Sequence, residues 1–273
     1  MREGDIVAGY VDLPDVLAVD GLAVHEADYD PPKQSANSLF RFWKDPKWLF
    51  DAIEKNAMIP RYYPETVDYL DIDIFQIAYP MICFCDINFH KLGEHMKLYG
   101  GYGIAFSKQW GIQKGIQPLQ YINKDSILCK DFSKAFRYAL TAEYDDPTHN
   151  YMQTHMYYMK PIQGMMPRDG AELNKNFTDE REWRYIPNVS ELDLPQAVID
   201  DDMAGLENCN DTIVCHDACW LKFAPEDIKY IIVQTNEEFE KLCALIEGKS
   251  IQPEVKRKLF SRIVVWEESK EDF

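Results

Sequence analysis

The sequence predicts an α+β fold, a short-stranded mixed sheet with helical insertions, and three observations lead there. Apolar runs of strand length, such as Ile77 to Cys85 and Ile228 to Val233, are separated by segments of helical period rather than by tight turns alone. The chain has 273 residues, 46% hydrophobic and 13% aromatic, enough to bury a large core. It also shows no internal repeat and no low-complexity segment, which excludes solenoids and disordered tails as the organising principle.

Residues 1–38 are acidic, interrupted by Pro14, Pro31 and Pro32, and read as an N-terminal arm. Residues 39–273 read as a single α+β domain with insertions at about 126–160 and 188–222. Compact structure begins with the aromatic strand Ser38-Leu39-Phe40-Arg41-Phe42-Trp43. Asp45 and Pro46 then open a helix as cap and first residue, with Trp48, Leu49, Ala52, Ile53 and Met58 on its apolar face. Pro60 to Glu65 reads as a closing loop. Ile77 to Cys85 is a buried strand, followed by a short helix ending near Tyr99. Gly100-Gly101-Tyr102-Gly103 is a turn into the strand Ile104 to Lys108, and Leu119 to Ile122 is another short strand. Residues 126–160 are mostly helical, and 161–176 form an irregular connection. A strand from Ile228 to Val233, an amphipathic helix from Glu237 to Ile246 and a strand from Ile263 to Trp266 complete the domain.

Net charge is −17, from 46 acidic and 29 basic residues, which argues against a broad electrostatic grip on nucleic acid and suits a basic partner. No stretch has the length of a membrane span, and no apolar leader core follows Met1. The odd number of cysteines, seven, points to reduced thiols, so a cytoplasmic location with no membrane association is expected.

One stretch carries most of the chemistry. In Asp179-Glu180-Arg181-Glu182-Trp183-Arg184-Tyr185-Ile186-Pro187, Glu180, Glu182 and Arg184 alternate with Arg181, Trp183 and Tyr185, as on a strand with one packed face and one polar face. The polar face suits either a cleft or an edge strand with cross-strand ion pairs. Arg41, flanked by aromatics, is a stacked cation or a ligand for phosphate or carboxylate. Cys209, Cys215, His216 and Cys219 lack the paired spacing of a zinc site, and no metal is expected.

Four blocks occur in order: Phe40-Arg41-Phe42, Met81 to Ile87, Tyr99-Gly100-Gly101-Tyr102-Gly103-Ile104 running on to Trp110, and Asp179 to Pro187. Over about residues 38 to 235 the chain resembles the AbiGi family of bacterial abortive-infection proteins, which more often has His where this chain has Arg41. The resemblance implies phage defence through a toxin–antitoxin pair, in which the family is described as the antitoxin partner of a nucleotidyltransferase toxin. A more remote resemblance, of order alone, is to ADP-ribosyltransferases, and it implies that the α+β sheet is ADP-ribosyltransferase-like. It implies NAD as substrate and Glu182 as the catalytic carboxylate, with Glu180 positioning the acceptor. Arg41, Ser107, Tyr79 and Tyr102 would then bind the dinucleotide, Arg41 at the pyrophosphate or ribose, Ser107 at the nicotinamide amide, and a tyrosine stacked on its ring.

Two functions are therefore expected: a phage-defence toxin transferring ADP-ribose to RNA, DNA or protein, or a non-enzymatic antitoxin. The partner would be the cognate antitoxin or toxin of the same operon. A nuclease is disfavoured by the lack of a carboxylate and Lys constellation at recognisable spacing.

Overall fold

The computed structural model describes residues 29–141, 146–168, 170–189 and 192–271. The first 28 residues of the expected arm lie outside the described residues. Pro31–Phe273 form one compact unit.

Among the described residues, regular structure begins with β1 (Ser38–Trp43), at the residue where the aromatic run starts. In α1 (Pro46–Lys55) the Asp45 carboxylate accepts from the Lys47 amide, and Leu49, Ala52 and Ile53 are buried. Trp48 is exposed instead of joining them, and Met58 belongs to β2 (Ala57–Met58). The expected loop at 60–65 is a strand, β3 (Arg61–Thr66), paired in register with β4 (Gln76–Cys85). Its Tyr62 is buried and Tyr63 exposed, the alternation of an edge strand that tolerates Pro64.

Helix α2 (Leu92–Tyr99), β5 (Tyr102–Ser107) and α3 (Lys108–Gln113) follow, then the short strands β6 (Gln117–Pro118) and β7 (Gln120–Ile122). The helical stretch expected from 126 divides into α4 (Ile127–Ala139) and α5 (Pro147–Tyr157), and β8 (Met159–Pro161) leads out of it. The expected irregular connection is a hairpin of β9 (Gln163–Arg168) and β10 (Ala171–Asn176), turning at Gly170 with φ 82°.

The opening strand is shorter than its alternation predicts. Phe177–Glu180 is a 3₁₀ turn, Arg181 adopts φ 45°, and only Glu182–Tyr185 form β11. Beyond it lie β12 (Val198–Ile199), α6 (Leu206–Cys215), β13 (Leu221–Lys222), β14 (Ile228–Val233) and α7 (Asn236–Gly248). The unanticipated α8 (Pro253–Phe260), β15 (Ile263–Val265) and α9 (Trp266–Ser269) end the chain's described structure.

The main sheet has the order β15-β14-β5-β1-β4-β11-β6, mixed because β14 and β15 run parallel. Side chains alternate between its faces. One face carries Leu39, Phe84, Ile104, Phe106 and Ile231, packed against Leu49 and Ile53 of α1, Trp110 of α3, Leu242 of α7 and Leu259 of α8. Trp183 and Tyr185 pack on this layer, as their side of the alternation predicts. The other face carries Phe40, Phe42, Cys85 and Ala105 under Leu92 and Met96 of α2.

The sheet forks at β1. All six residues of β1 pair with β5, but only Phe40 pairs with β4, opposite Cys85. β4 meanwhile changes partners along its length, from β1 and β11 at its C-terminal end to β3 and β12 nearer its start.

Candidate functional site

The polar face of β11 is buried. Glu182 is opposite Cys85 and Arg184 opposite Cys83, so both lie on the side of the sheet that carries Phe40. Arg184 is 0% exposed, Glu182 6% and Glu180 3%. Charges this deep require partners, since an isolated buried ion costs several kcal/mol.

The partners form a closed network. Arg184 donates through Nε to Glu182 Oε1 at 2.7 Å. Through Nη1 it donates to Glu65 Oε2 at 2.8 Å, to the Tyr157 carbonyl at 2.7 Å and to the Tyr79 hydroxyl. Through Nη2 it donates to Glu65 Oε1 at 2.5 Å, a bidentate fork on one carboxylate. Lys160, the middle residue of β8, donates to Glu182 Oε2 at 2.9 Å and to Glu180 Oε2 at 2.8 Å. The Tyr99 hydroxyl donates to Glu180 Oε1, and Lys175 Nζ of the hairpin is 3.9 Å from the same oxygen. The Glu182 amide donates to the Tyr121 hydroxyl at 2.8 Å. Three carboxylates thus meet three cations: Glu65, Glu180 and Glu182 against Lys160, Lys175 and Arg184.

The two carboxylates of the stretch respond differently to one environment. Burial pushes the Glu182 carboxyl up, but Arg184 and Lys160 outweigh it and hold Glu182 well below the usual carboxylate range. At Glu180 burial wins over Lys160, with Glu182 adding repulsion, and the carboxyl is raised. Burial opposes the charge on Lys160, yet Glu182, Glu180 and Glu65 raise its ammonium well above normal.

The sequence-derived site is brought together only in part. Glu180 and Glu182 converge on Lys160, but not as neighbours on one strand face, because the left-handed Arg181 separates the 3₁₀ turn from β11. Tyr79 is not a free stacking surface: its ring packs on Tyr157 at 4.5 Å and its hydroxyl is engaged with Glu65 and Arg184. Tyr102 is opposite Trp43, on the sheet face away from Glu182, and donates to Glu238 Oε1 at 2.5 Å. Ser107 caps α3 by accepting from the Trp110 amide at 3.1 Å. It sits on β5, three strands from β11, roughly 14 Å at the usual spacing between strands. Arg41 registers opposite Ile104, its guanidinium 5.5 Å from the Trp43 ring, with Nη1 donating to the Cys83 carbonyl at 3.3 Å.

Glu65, Tyr99 and Lys160 did not stand out in the sequence. Glu65 lies in the stretch read as a loop, and Lys160 at the end of the helical segment, far from Glu182 in the chain. His95 joins the same face: its ring is 4.4 Å from Tyr99 and 5.7 Å from Phe42. Burial, together with the charges of Lys175, Arg41 and Lys160, lowers its pKa to about 4. Cys215 is exposed and Cys219 buried, and among the described residues no three His, Cys, Asp or Glu side chains converge as a metal shell. Nor is any helix of the described residues long and apolar enough to cross a membrane.

With this geometry in hand, comparison with known proteins is informative. Residues 56–234 match the family profile of AbiGi, an abortive phage resistance protein to which the profile's description provisionally assigns an antitoxin role. The matched span contains every member of the charge network. The chain is also 35% identical over 248 residues to the abortive phage resistance protein AbiGi of Lactococcus lactis subsp. cremoris, covering 80% of this chain and 100% of that protein. No solved structure matches significantly. The chain belongs to the AbiGi family of abortive phage resistance proteins.

Proposed function

We propose that this chain is the antitoxin of an abortive-infection system, restraining a toxin by binding it. The observation that carries the reading is the commitment of Glu182. Both of its oxygens are held by cations, the buried Arg184 and the largely buried Lys160, so the residue best placed in the sequence for catalysis serves the fold. The family description as an antitoxin supports the same reading. The net charge of −17 suits a basic toxin surface through long-range attraction. The test is co-purification of the full chain with the toxin encoded beside it, at rising salt. A stoichiometric complex that weakens with salt is expected. Separate elution of the two proteins at low salt would overturn the reading.

A second reading, NAD-dependent ADP-ribosyl transfer, is favoured by one observation: Glu180 and Glu182 share Lys160 yet their carboxyls shift in opposite directions. In that reaction the nicotinamide–ribose bond breaks, and nicotinamide leaves with the bonding pair. The acceptor nucleophile bonds the ribose carbon and passes its proton to a carboxylate, for which Glu180 is the better base. Incubation of the purified chain with labelled NAD and extracted protein, RNA and DNA tests it. Label on one acceptor class, lost in Glu180→Gln, supports the reading, and no label on any class removes it.

A further inference from the structure

Among the described residues Phe75 is the one phenylalanine that stands exposed, at 62%. It precedes β4 on main chain that is held from both sides. The Asp200 carboxylate accepts from the Phe75 amide at 3.1 Å and from the Gln76 amide at 2.8 Å. The Val67 amide donates to the Phe75 carbonyl at 2.9 Å and so closes the loop 67–75, which the buried Val67 and Leu70 anchor in the core. The ring is presented to solvent by a fixed backbone, so covering it with a partner costs little ordering of the chain.

A lone exposed apolar side chain is ordinary, but Phe75 is not alone. Ile199 of β12, 41% exposed, is opposite Ile77, two residues along from Phe75, and its neighbour Asp200 is the residue that holds the Phe75 amide. Both belong to one corner of the sheet, where β12 meets the start of β4. That corner is acidic: Asp68, Asp71 and Asp73 of the same loop are all exposed, and among the described residues only Asp71 meets a cation, Arg137 at 3.6 Å. Ile127 and Tyr138 of α4 are also exposed, yet by helical spacing they share its outward side with Lys130, Lys134 and Arg137. Charge therefore separates the two apolar surfaces. A basic partner is attracted to the corner at Phe75 and repelled from the face of α4. Phe75 and Ile199 also lie within residues 56–234, the span matched by the family profile.

We infer that the corner formed by Phe75, Ile199 and the loop 67–75 is the surface through which the chain binds its toxin. The toxin meets it with a basic surface that carries an apolar pocket for the Phe75 ring. The inference rests on the antitoxin reading and says where on the chain that binding takes place.

Calorimetric titration of the full-length chain with the purified toxin encoded beside it, at low and at high salt, tests it. Phe75→Ala should weaken the complex roughly tenfold or more at either salt, as expected of an aromatic anchor. The melting temperature of the free chain should stay unchanged, because the ring lies outside the core. Asp73→Asn should weaken the complex a few-fold at low salt and have no effect at high salt. Tyr138→Ala, on the basic side of α4, should leave the affinity as it is. A wild-type complex that survives both Phe75→Ala and Asp73→Asn undiminished, or that is lost in Tyr138→Ala alone, would overturn the inference and leave the antitoxin reading standing. Absence of any complex with the wild-type chain would overturn both.

Discussion

Arg184 donates through Nε to Glu182 Oε1 at 2.7 Å, two residues along the same strand, and the pair is sealed inside the protein. Side chains two apart on a strand share a face, so the pairing follows from local geometry. What the strand alone does not supply is the neutralisation around the pair, which comes from Glu65 on β3 and Lys160 on β8.

The first prediction concerns that burial. Arg184→Met leaves Glu65 and Glu182 without their shared guanidinium, and the loss of one partner from a buried ion network costs about 3–5 kcal/mol. Urea unfolding should show a loss of that size with little change in slope. A loss below about 1 kcal/mol would mean that the network is hydrated and weak.

Lys160→Met sets Glu180 and Glu182 against each other with no cation between them. Like charges raise both carboxyl pKa values in the folded state, so folding binds protons more readily than unfolding does. The deficit should be full at pH 7 and shrink as pH falls towards 5, because protonation relieves the repulsion. Melting temperatures of wild type and variant, measured across that range, should converge on the acid side.

His95 gives a dependence of opposite sign. Its pKa is lowered from 6.5 to about 4 by burial and by Lys175, Arg41 and Lys160. Between those values the unfolded chain binds the proton and the folded chain does not. Its contribution is therefore fully present above pH 6.5 and is lost as pH falls towards 4, at most about 3 kcal/mol. His95→Gln should flatten the stability profile between pH 6.5 and 4, and an unchanged slope would show that the ring is solvated.

Gly100 caps α2 at φ 112°, and a Cβ there would sit 2.0 Å from the Trp43 carbonyl oxygen. Gly100→Ala combines a strained backbone with a collision against main chain that has no rotamer to escape to. A loss of more than about 2 kcal/mol is expected, against about 1 kcal/mol for Gly115→Ser, where a Cβ meets nothing within 4 Å and the positive φ is the whole cost.

Much of the fold is legible in the sequence where one face is buried and the pattern is local. β4 is a continuous apolar run, α1 announces its cap with Asp45 and Pro46, and β14 is all but uncharged. The hairpin β9–β10 is not legible, because Gly164, Met165, Met166 and the polar run Asn174 to Asn176 show neither β-branched enrichment nor clean alternation. β3 is masked by Pro60 and Pro64, which an edge strand tolerates. At the site, the shared face of Glu182 and Arg184 is visible from spacing, whereas Glu180 joins them from the 3₁₀ turn and not from the strand alternation. The cation common to Glu180 and Glu182 is not visible, since Lys160 reaches them through chain reversal and no periodicity links it to β11. The order Arg41, Ser107, Glu182 along the chain likewise says nothing of the strands that separate Ser107 from Glu182.

Glu182→Gln alone is a poor test of chemistry, because it also removes a charge that Arg184 and Lys160 require. The direct measurement is growth of bacteria expressing the wild-type chain, alone and together with the toxin encoded beside it. The antitoxin account predicts that the chain alone is harmless and that co-expression restores growth arrested by the toxin. Growth arrest by the chain alone, abolished by a Glu180→Gln variant that melts at the wild-type temperature, would contradict it.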